Sequence, residues 1–437
     1  MISTDRPNET PAARPVLGIA AKTLHAARTA KKAIFSNPDA ALAAKSLRYT
    51  LQRAAAGLLF DPARPISEQI YRVTGCHRDR KGEKVGLYRA IDGSDSRITG
   101  VVTCGSVWHC PVCAAKVTEA RRIELQAALV WHQQNGGEAY LMTLTHPHTF
   151  DMRLADQLEK QADARQRFKN CRTFKRVMAK YGRLGSVCSL ETTYGVNGHH
   201  PHTHDLIFAQ PGLMNDPRAI AELRAEWIRI LIKVGLGDSD KSNDMHAHAF
   251  DLAGGNFAAE YIAKFGREPF WSEAHELTKS HAKIGQRTLN GKTHFTPFQL
   301  LQWYLNEKDD EERAKLAGAF IEYAEAFQGK RMLSWSPGLK EKLHVEELTD
   351  EEIAADESPK VEEEGCGDLD KDQWGLILSR NARGELLTVL ARNGREGVDA
   401  LLYDLEHNRR PTHRGASDSH RAWATKLDYY SYPKKAA

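Results

Sequence analysis

Apolar residues recur along this chain with two periods, and the switches between them outline an ordered core between more polar ends. The first segment, residues 1–65, is Ala- and Arg-rich and carries no chemical motif; a helix is expected from Ala40 to Leu59 and partial disorder elsewhere. From Ala115 to Gln134, Val117, Ala120, Ile123, Ala127 and Val130 fall three or four apart, the stripe of an amphipathic helix. Tyr140 to Thr145 reads as a buried strand that Pro147 stops. A long basic helix is expected from Leu154 to Tyr181, with Leu158, Phe168 and Cys171 inward and Arg165, Arg167, Lys169, Arg172, Lys175, Arg176 and Lys180 on its polar faces. Two strands follow, Ser186 to Thr193 and His202 to Phe208, joined by a turn through Gly195, Asn197 and Gly198 as in a hairpin. Asn215-Asp216-Pro217 opens a helix through Ile232, with a capping side chain and a proline where helix starts favour them. A strand from Met245 to Phe250 then leads through Gly254-Gly255 into a helix from Asn256 to about Phe265.

The order strand, helix, strand, strand, helix, strand, helix predicts an α+β domain with one mainly antiparallel central sheet flanked by helices. Past residue 266 the pattern loosens, a helix returns at Asp309 to Phe327, and Trp335-Ser336-Pro337-Gly338-Leu339-Lys340 follows. The organisation expected is an N-terminal extension (1–65), a cysteine-bearing subregion (66–115), a central domain (116–345), an acidic linker (346–372) and a small helical C-terminal tail (373–437).

Charge changes this picture. Residues 346–372 hold thirteen acidic side chains against Lys360 and Lys371, a local net of −11, so the rest of the chain carries +15 within a total of +4. A basic body suits a polyanion, with phosphates the obvious partner. No stretch approaches the roughly 18 apolar residues of a membrane span. Met1 to Pro15 is polar, and the short apolar run Val16 to Ala21 is followed by Lys22, Arg28, Lys31 and Lys32, so a cytoplasmic location is expected.

Seven cysteines, an odd number, argue against a disulfide framework. Cys110-Pro111-Val112-Cys113 has the spacing of one corner of a tetrahedral zinc site. Cys104 and Cys76 complete the set, with His77 beside Cys76 and with His109 as an alternative fourth ligand. Cys171, Cys188 and Cys366 stand far apart and read as ordinary thiols.

The most informative segment is His200-Pro201-His202-Thr203-His204, running into Asp205-Leu206-Ile207-Phe208. Residues two apart on a strand share a face, so His202 and His204 project side by side and supply half of a transition-metal site. Glu191, on the partner strand, is the candidate third ligand. His246 and His248 repeat the spacing and are read as structural or DNA-facing. Downstream, Tyr261-Ile262-Ala263-Lys264-Phe265 puts Lys264 nearly on the face of Tyr261. A bound cation, a tyrosine nucleophile and a lysine that favours phenol ionisation are the parts of metal-assisted phosphoryl transfer.

The ordered set LMTLT, HPHTHDLIF and YIAKF resembles the three motifs of plasmid rolling-circle replication initiators in the HUH endonuclease superfamily. RMLSWSPGLK is similar to the end of that family's shared region, and the resemblance spans roughly residues 70–340. It implies that residues 116–345 form a nicking and joining domain, that His202 and His204 bind Mg²⁺ or Mn²⁺, that Tyr261 is the nicking residue and that Lys264 assists. It further implies origin DNA as the partner, a 5′-phosphotyrosine intermediate, and a 3′-OH for a host polymerase, with a host helicase as a further partner. Arg165, Arg172, Lys175 and Arg176 become candidate DNA contacts in that context. The chain departs from the pattern in having Phe265 where the family often has a second tyrosine. Some relatives use a glutamate to activate water in the closing step; Glu260 is the candidate here, about 100° round the helix from Tyr261. An HUH transposase and a zinc-stabilised DNA-binding regulator without catalysis are the alternatives.

Overall fold

The computed structural model describes residues 38–264, 287–289, 292–359 and 361–407. Residues 1–37 and Phe265 lie outside them, as does the polar end from 408. Helix α1 (Pro38–Leu58) buries Leu51, Ala55 and Leu58. Strands β1 (Val85–Ala90) and β2 (Ser96–Thr99) pair antiparallel. Helix α2 (Pro111–Gln134) begins earlier than periodicity alone suggests, because Cys110 caps it by accepting the Cys113 N–H and Pro111 takes the first turn.

After β3 (Glu138–Leu144), the expected long helix proves to be two, α3 (Leu154–Asn170) and α4 (Arg172–Lys180). Cys171 is extended (ψ 158°) and its sulfur accepts the Phe174 N–H as the cap of α4. In one continuous helix Phe168 and Phe174 would stand about 120° apart round the axis. The break instead brings their rings edge to face at 5.2 Å with both buried.

Strands β4 (Gly185–Gly195) and β5 (Gly198–Ala209) form the expected hairpin around Val196-Asn197. Gly198 has φ +83°, and a Cβ there would stand 3.3 Å from the Phe150 Cα, so only glycine fits the turn. Helix α5 (Pro217–Lys233) starts as expected, with Asp216 accepting the Ala219 N–H. The strand expected at 245–250 is a correction: α6 (Ser242–His248) occupies most of it, and β6 (Phe250–Ala253) starts at its end. Met245 and Ala249, one helical turn apart, are the buried positions, while His246 and His248 are exposed on α6.

Helix α7 (Gly255–Lys264) carries the tyrosine motif. The chain continues through β7 (Arg287–Leu289), β8 (Lys292–Phe295), α8 (Pro297–Asn306), α9 (Asp310–Phe327), β9 (Leu333–Trp335), α10 (Leu339–Lys342), α11 (Asp350–Ala355), β10 (Glu363–Leu369), α12 (Lys371–Ser379) and α13 (Arg383–His407).

The fold is α+β. The main sheet runs β6-β3-β5-β4-β8-β7, with β9 also on β4, and each pairing is antiparallel. Alternation gives it two faces. Ala139, Val187, Leu206 and Phe208 share a core with Ala258 and Ile262 of α7 and with α2. Tyr140, Met142, Leu144, Ile207 and Ala209 pack on α3, α4 and α5.

A second sheet, β10-β1-β2, corrects the reading of 346–372 as a linker. Thr349 caps α11, and β10 pairs with β1 although the two strands lie more than 270 positions apart. The acidic side chains that suggested a solvated tether are partners of distant basic ones. Asp350 meets Arg121 at 2.7 Å, Glu351 meets Arg72 at 2.7 Å, Glu364 meets Arg89 at 2.5 Å, and Glu363 pairs with Arg97. The C-terminal helices cover this sheet, burying Trp374, Leu386 and Leu390 against Val85 and Leu87. Among the described residues no helix is long and apolar enough to cross a membrane.

Candidate active site and cysteine cluster

The β3-β5-β4 register assembles the first cluster. His202 stands opposite Glu191, and His204 lies between Thr143 and Ser189. Cross-strand partners share a face, so the two imidazoles and the carboxylate converge where β4 and β5 leave the apolar core. Glu191 Oε2 lies 3.7 Å from His202 Nε2 and 3.8 Å from His204 Nε2. One donor atom from each of the three lies within 4.8 Å of the others. The other carboxylate oxygen, Oε1, accepts the Tyr261 hydroxyl at 2.7 Å and the Ser189 hydroxyl at 3.0 Å. The Tyr261 and His204 ring centroids are 4.8 Å apart. Helix α7 thus presents Tyr261 to the sheet, anchored by the buried Ala258 and Ile262 on either side of it.

Outer partners fix both rings. Thr143 Oγ1 hydrogen-bonds His204 Nδ1 at 2.9 Å, and the His200 carbonyl lies 3.1 Å from His202 Nδ1. Each Nε2 is therefore the nitrogen turned to the cluster, as in metal-binding histidines whose other ring nitrogen is held by a hydrogen bond. A row of rings continues outward, His202 to His200 at 5.5 Å and His200 stacked on His148 at 4.5 Å.

Burial lowers the pKa of His204, which favours the neutral ligand form. Burial works against ionisation of Glu191, but the hydrogen bond from His202 and the charges of His204 and His202 outweigh it and hold the carboxyl well below its usual range. Burial first, then the Glu191 charge, push the Tyr261 phenol well above 10. The cluster is an anionic, half-exposed N₂O donor set beside a neutral phenol, which fits a divalent cation bound with positions left open for substrate.

The second cluster joins Cys76 to Cys104, Cys110 and Cys113, all four buried. Sγ separations are 3.6 Å for Cys76–Cys110, 3.5 Å for Cys76–Cys113 and 3.7 Å for Cys104–Cys113. Zinc–sulfur bonds of about 2.3 Å require tetrahedral edges of about 3.8 Å, whereas a disulfide would need about 2.05 Å. Backbone N–H groups of Cys104, Ser106 and Cys113 donate to Cys76, Cys104 and Cys110 sulfurs. His109 is outside the set, its Nε2 bonded to the Ala324 carbonyl at 2.9 Å. The donor chemistry fits zinc.

The remaining candidates are placed elsewhere. Glu260 is exposed and does not join the cluster; the Lys264 side chain lies outside the described residues. Arg165 reaches the buried Asp205 at 3.4 Å, and Arg176 pairs with Glu222. Arg172 and Lys175 are exposed on α4. All four stand on helices that pack the sheet face opposite the histidines. Sequence reasoning assigned no role to Thr143, Ser189 or Asp205. The signal for Thr143 lay in the polar exit of LMTLT, and that for Asp205 in an acid one residue beyond the histidine pair, hence on the other face.

The sequence profile described as "Replication protein" matches residues 96–383. The chain is similar to "Protein rep" of Streptomyces lividans, 26% identical over 377 residues that cover 72% of this chain and 76% of that one. It is also similar to a "Neomycin resistance protein" of Streptomyces cyanogenus, 29% identical over 133 residues, 25% of this chain and 30% of that protein. No solved structure matches.

Proposed function

The chain belongs to the plasmid replication (Rep) protein family, and on that premise we propose that it initiates rolling-circle replication by nicking one strand of origin DNA with Tyr261. The observation that carries this reading is the single carboxylate of Glu191, bonded through one oxygen to the Tyr261 hydroxyl and facing both imidazoles with the other.

His202, His204 and Glu191 would hold Mg²⁺ or Mn²⁺, which would supply Lewis-acid polarisation of the scissile phosphate and a positive field that lowers the phenol pKa. Glu191 Oε1, 2.7 Å from the Tyr261 oxygen, is the acceptor for the phenol proton. Tyr261 Oη bonds to phosphorus, and the bond from phosphorus to the 3′ oxygen breaks. The 3′ oxygen leaves as an alkoxide that takes a proton from water, and the 5′ phosphate stays on Tyr261. The reverse attack by a 3′-OH rejoins the strand. Lys264 follows Tyr261 by three residues on α7 and stabilises developing negative charge. The ring row from His204 to His148 offers stacking surfaces to unpaired bases. Cys76, Cys104, Cys110 and Cys113 would hold zinc, which would fix the start of α2 and serve no chemical step. The protein works in the cytoplasm, where a host polymerase extends the free 3′ end and a host helicase opens the duplex.

Purified protein is incubated with labelled single-stranded origin DNA and Mn²⁺ and resolved on a denaturing gel. The expected result is a protein–DNA adduct that disappears in Tyr261→Phe and in His202→Ala. Tight duplex binding with no adduct on any origin strand would replace this reading with that of a non-catalytic DNA-binding regulator.

A further inference from the structure

On the sheet face opposite the His–Glu–Tyr cluster lies a cavity of ≈ 290 Å³, near the lower end of the range for small-molecule sites. Its floor is Cys188 of β4 and Thr203 of β5, its wall is Gln161 and Arg165 of α3, and its rim is Lys330 and Arg331 just before β9. Among the described residues, three cations line it and no acidic residue does.

Among the described residues, two donors in this lining have no hydrogen-bond partner. Thr203 is 1% exposed, and its hydroxyl has no hydrogen-bond partner among the described residues. The Nε of Arg165 is likewise buried without a partner. Asp205 engages Arg165 only loosely, at 3.4 Å, while Lys169 holds the same carboxylate at 2.5 Å. A buried donor left unpaired carries an uncompensated desolvation penalty that a ligand oxygen would relieve. Lys330 and Arg331 are exposed and make no ion pair among the described residues, in contrast to the acid-paired Arg176 and Lys180 of α4. Desolvated donors on the floor and wall, under rim cations that make no ion pair among the described residues, describe a receptor for a ligand with several anionic oxygens. A guanidinium beside a hydroxyl matches the oxygen geometry of phosphate. Cys188 takes no part as a nucleophile, since burial pushes its thiol up to about 12.

We propose that this cavity binds a phosphate group, either of a free nucleotide or of the DNA backbone, as a site separate from the nicking centre. Thr203 alternates with His202 and His204 along β5, so the two sites lie back to back across one strand and share no side chain.

The test uses the full-length protein and calorimetric titration with three probes: inorganic phosphate, deoxyadenosine 5′-monophosphate and a short oligothymidine lacking any origin sequence. Lys330→Ala/Arg331→Ala and Thr203→Val are compared with wild type and with Tyr261→Phe. The double variant is expected to bind about tenfold more weakly or worse, as loss of charge-assisted bonds implies. Thr203→Val is expected to lose several-fold without a lower melting temperature, because the hydroxyl it removes has no partner. Tyr261→Phe is expected to bind like wild type, so failure of the nicking mechanism and failure of this site read out separately. Binding of phosphate and the mononucleotide would assign the site to free ligands, and binding of the oligonucleotide alone to the strand backbone. Affinities that agree within twofold between wild type and the double variant, or no binding of any probe, would overturn the proposal.

Discussion

The two donor clusters differ in every property that separates a metal site built for stability from one built for chemistry. The four cysteines are buried and all soft thiol donors, with backbone N–H groups on the sulfurs of Cys76, Cys104 and Cys110. The two histidines and Glu191 are half-exposed, mixed in donor type, three in number and next to a phenol. Closed tetrahedral sulfur sites hold folds together, and three-ligand sites with open positions admit substrate. Their placement follows the same division. The sulfurs knit the start of α2 into the core beneath α1, while the imidazoles sit where paired strands emerge from that core.

The sharpest way to break this contrast is to remove one sulfur. Cys113→Ser is expected to destabilise the protein by several kcal/mol, as loss of a structural zinc ligand does, read as a large fall in the denaturation midpoint. His202→Ala is expected to leave that midpoint within about 1 kcal/mol, typical of a half-exposed substitution. Equal losses for the two would erase the distinction.

Acid sharpens it from another side. Burial lowers His146 and His199 to about 4. An unfolded histidine titrates near 6.5, so between about pH 6.5 and 4 the unfolded chain binds protons that the folded one refuses. Stability is therefore full above that window and falls as the pH drops through it, by on the order of 3 kcal/mol for each imidazole. Urea midpoints at pH 7.5 and 5 measure the loss; a flat profile would contradict the burial assigned to these two rings.

A smaller effect probes the outer support of the open site. Thr143→Val removes the bond to His204 Nδ1 and is expected to weaken catalytic-metal affinity about 10- to 100-fold, the usual cost of losing the hydrogen bond that orients a ligand histidine. Mn²⁺ titration of adduct formation reads it, and an unchanged half-saturation point would make Thr143 a packing residue.

What the sequence revealed followed from local spacing. The hairpin, the cap at Asp216 and the shared face of His202 and His204 depend on neighbours within a few residues, where periodicity is informative. The cysteine set was legible as a group, but choosing Cys76 over His109 needed the loop that carries Cys76 under the start of α2. The break at Cys171 was hidden because each half of 154–181 is helical by itself, and the reward for bending is a Phe168–Phe174 contact. Residues 346–372 misled because the charges that neutralise them, from Arg72 to Arg121, lie more than 200 positions away. Arg165 looked like a surface cation for the same reason: its partner Asp205 comes from another element.

The most direct measurement is exhaustive dialysis of the protein against EDTA, followed by metal analysis, a melting curve and the origin-nicking assay on the same sample. The expected result is one zinc retained per chain, an unchanged melting temperature, and nicking that is lost and then restored by Mg²⁺ or Mn²⁺. Nicking that survives with no divalent cation beyond the retained zinc, or a fold that retains no zinc and melts unchanged, would contradict the assignment of one closed and one open metal site.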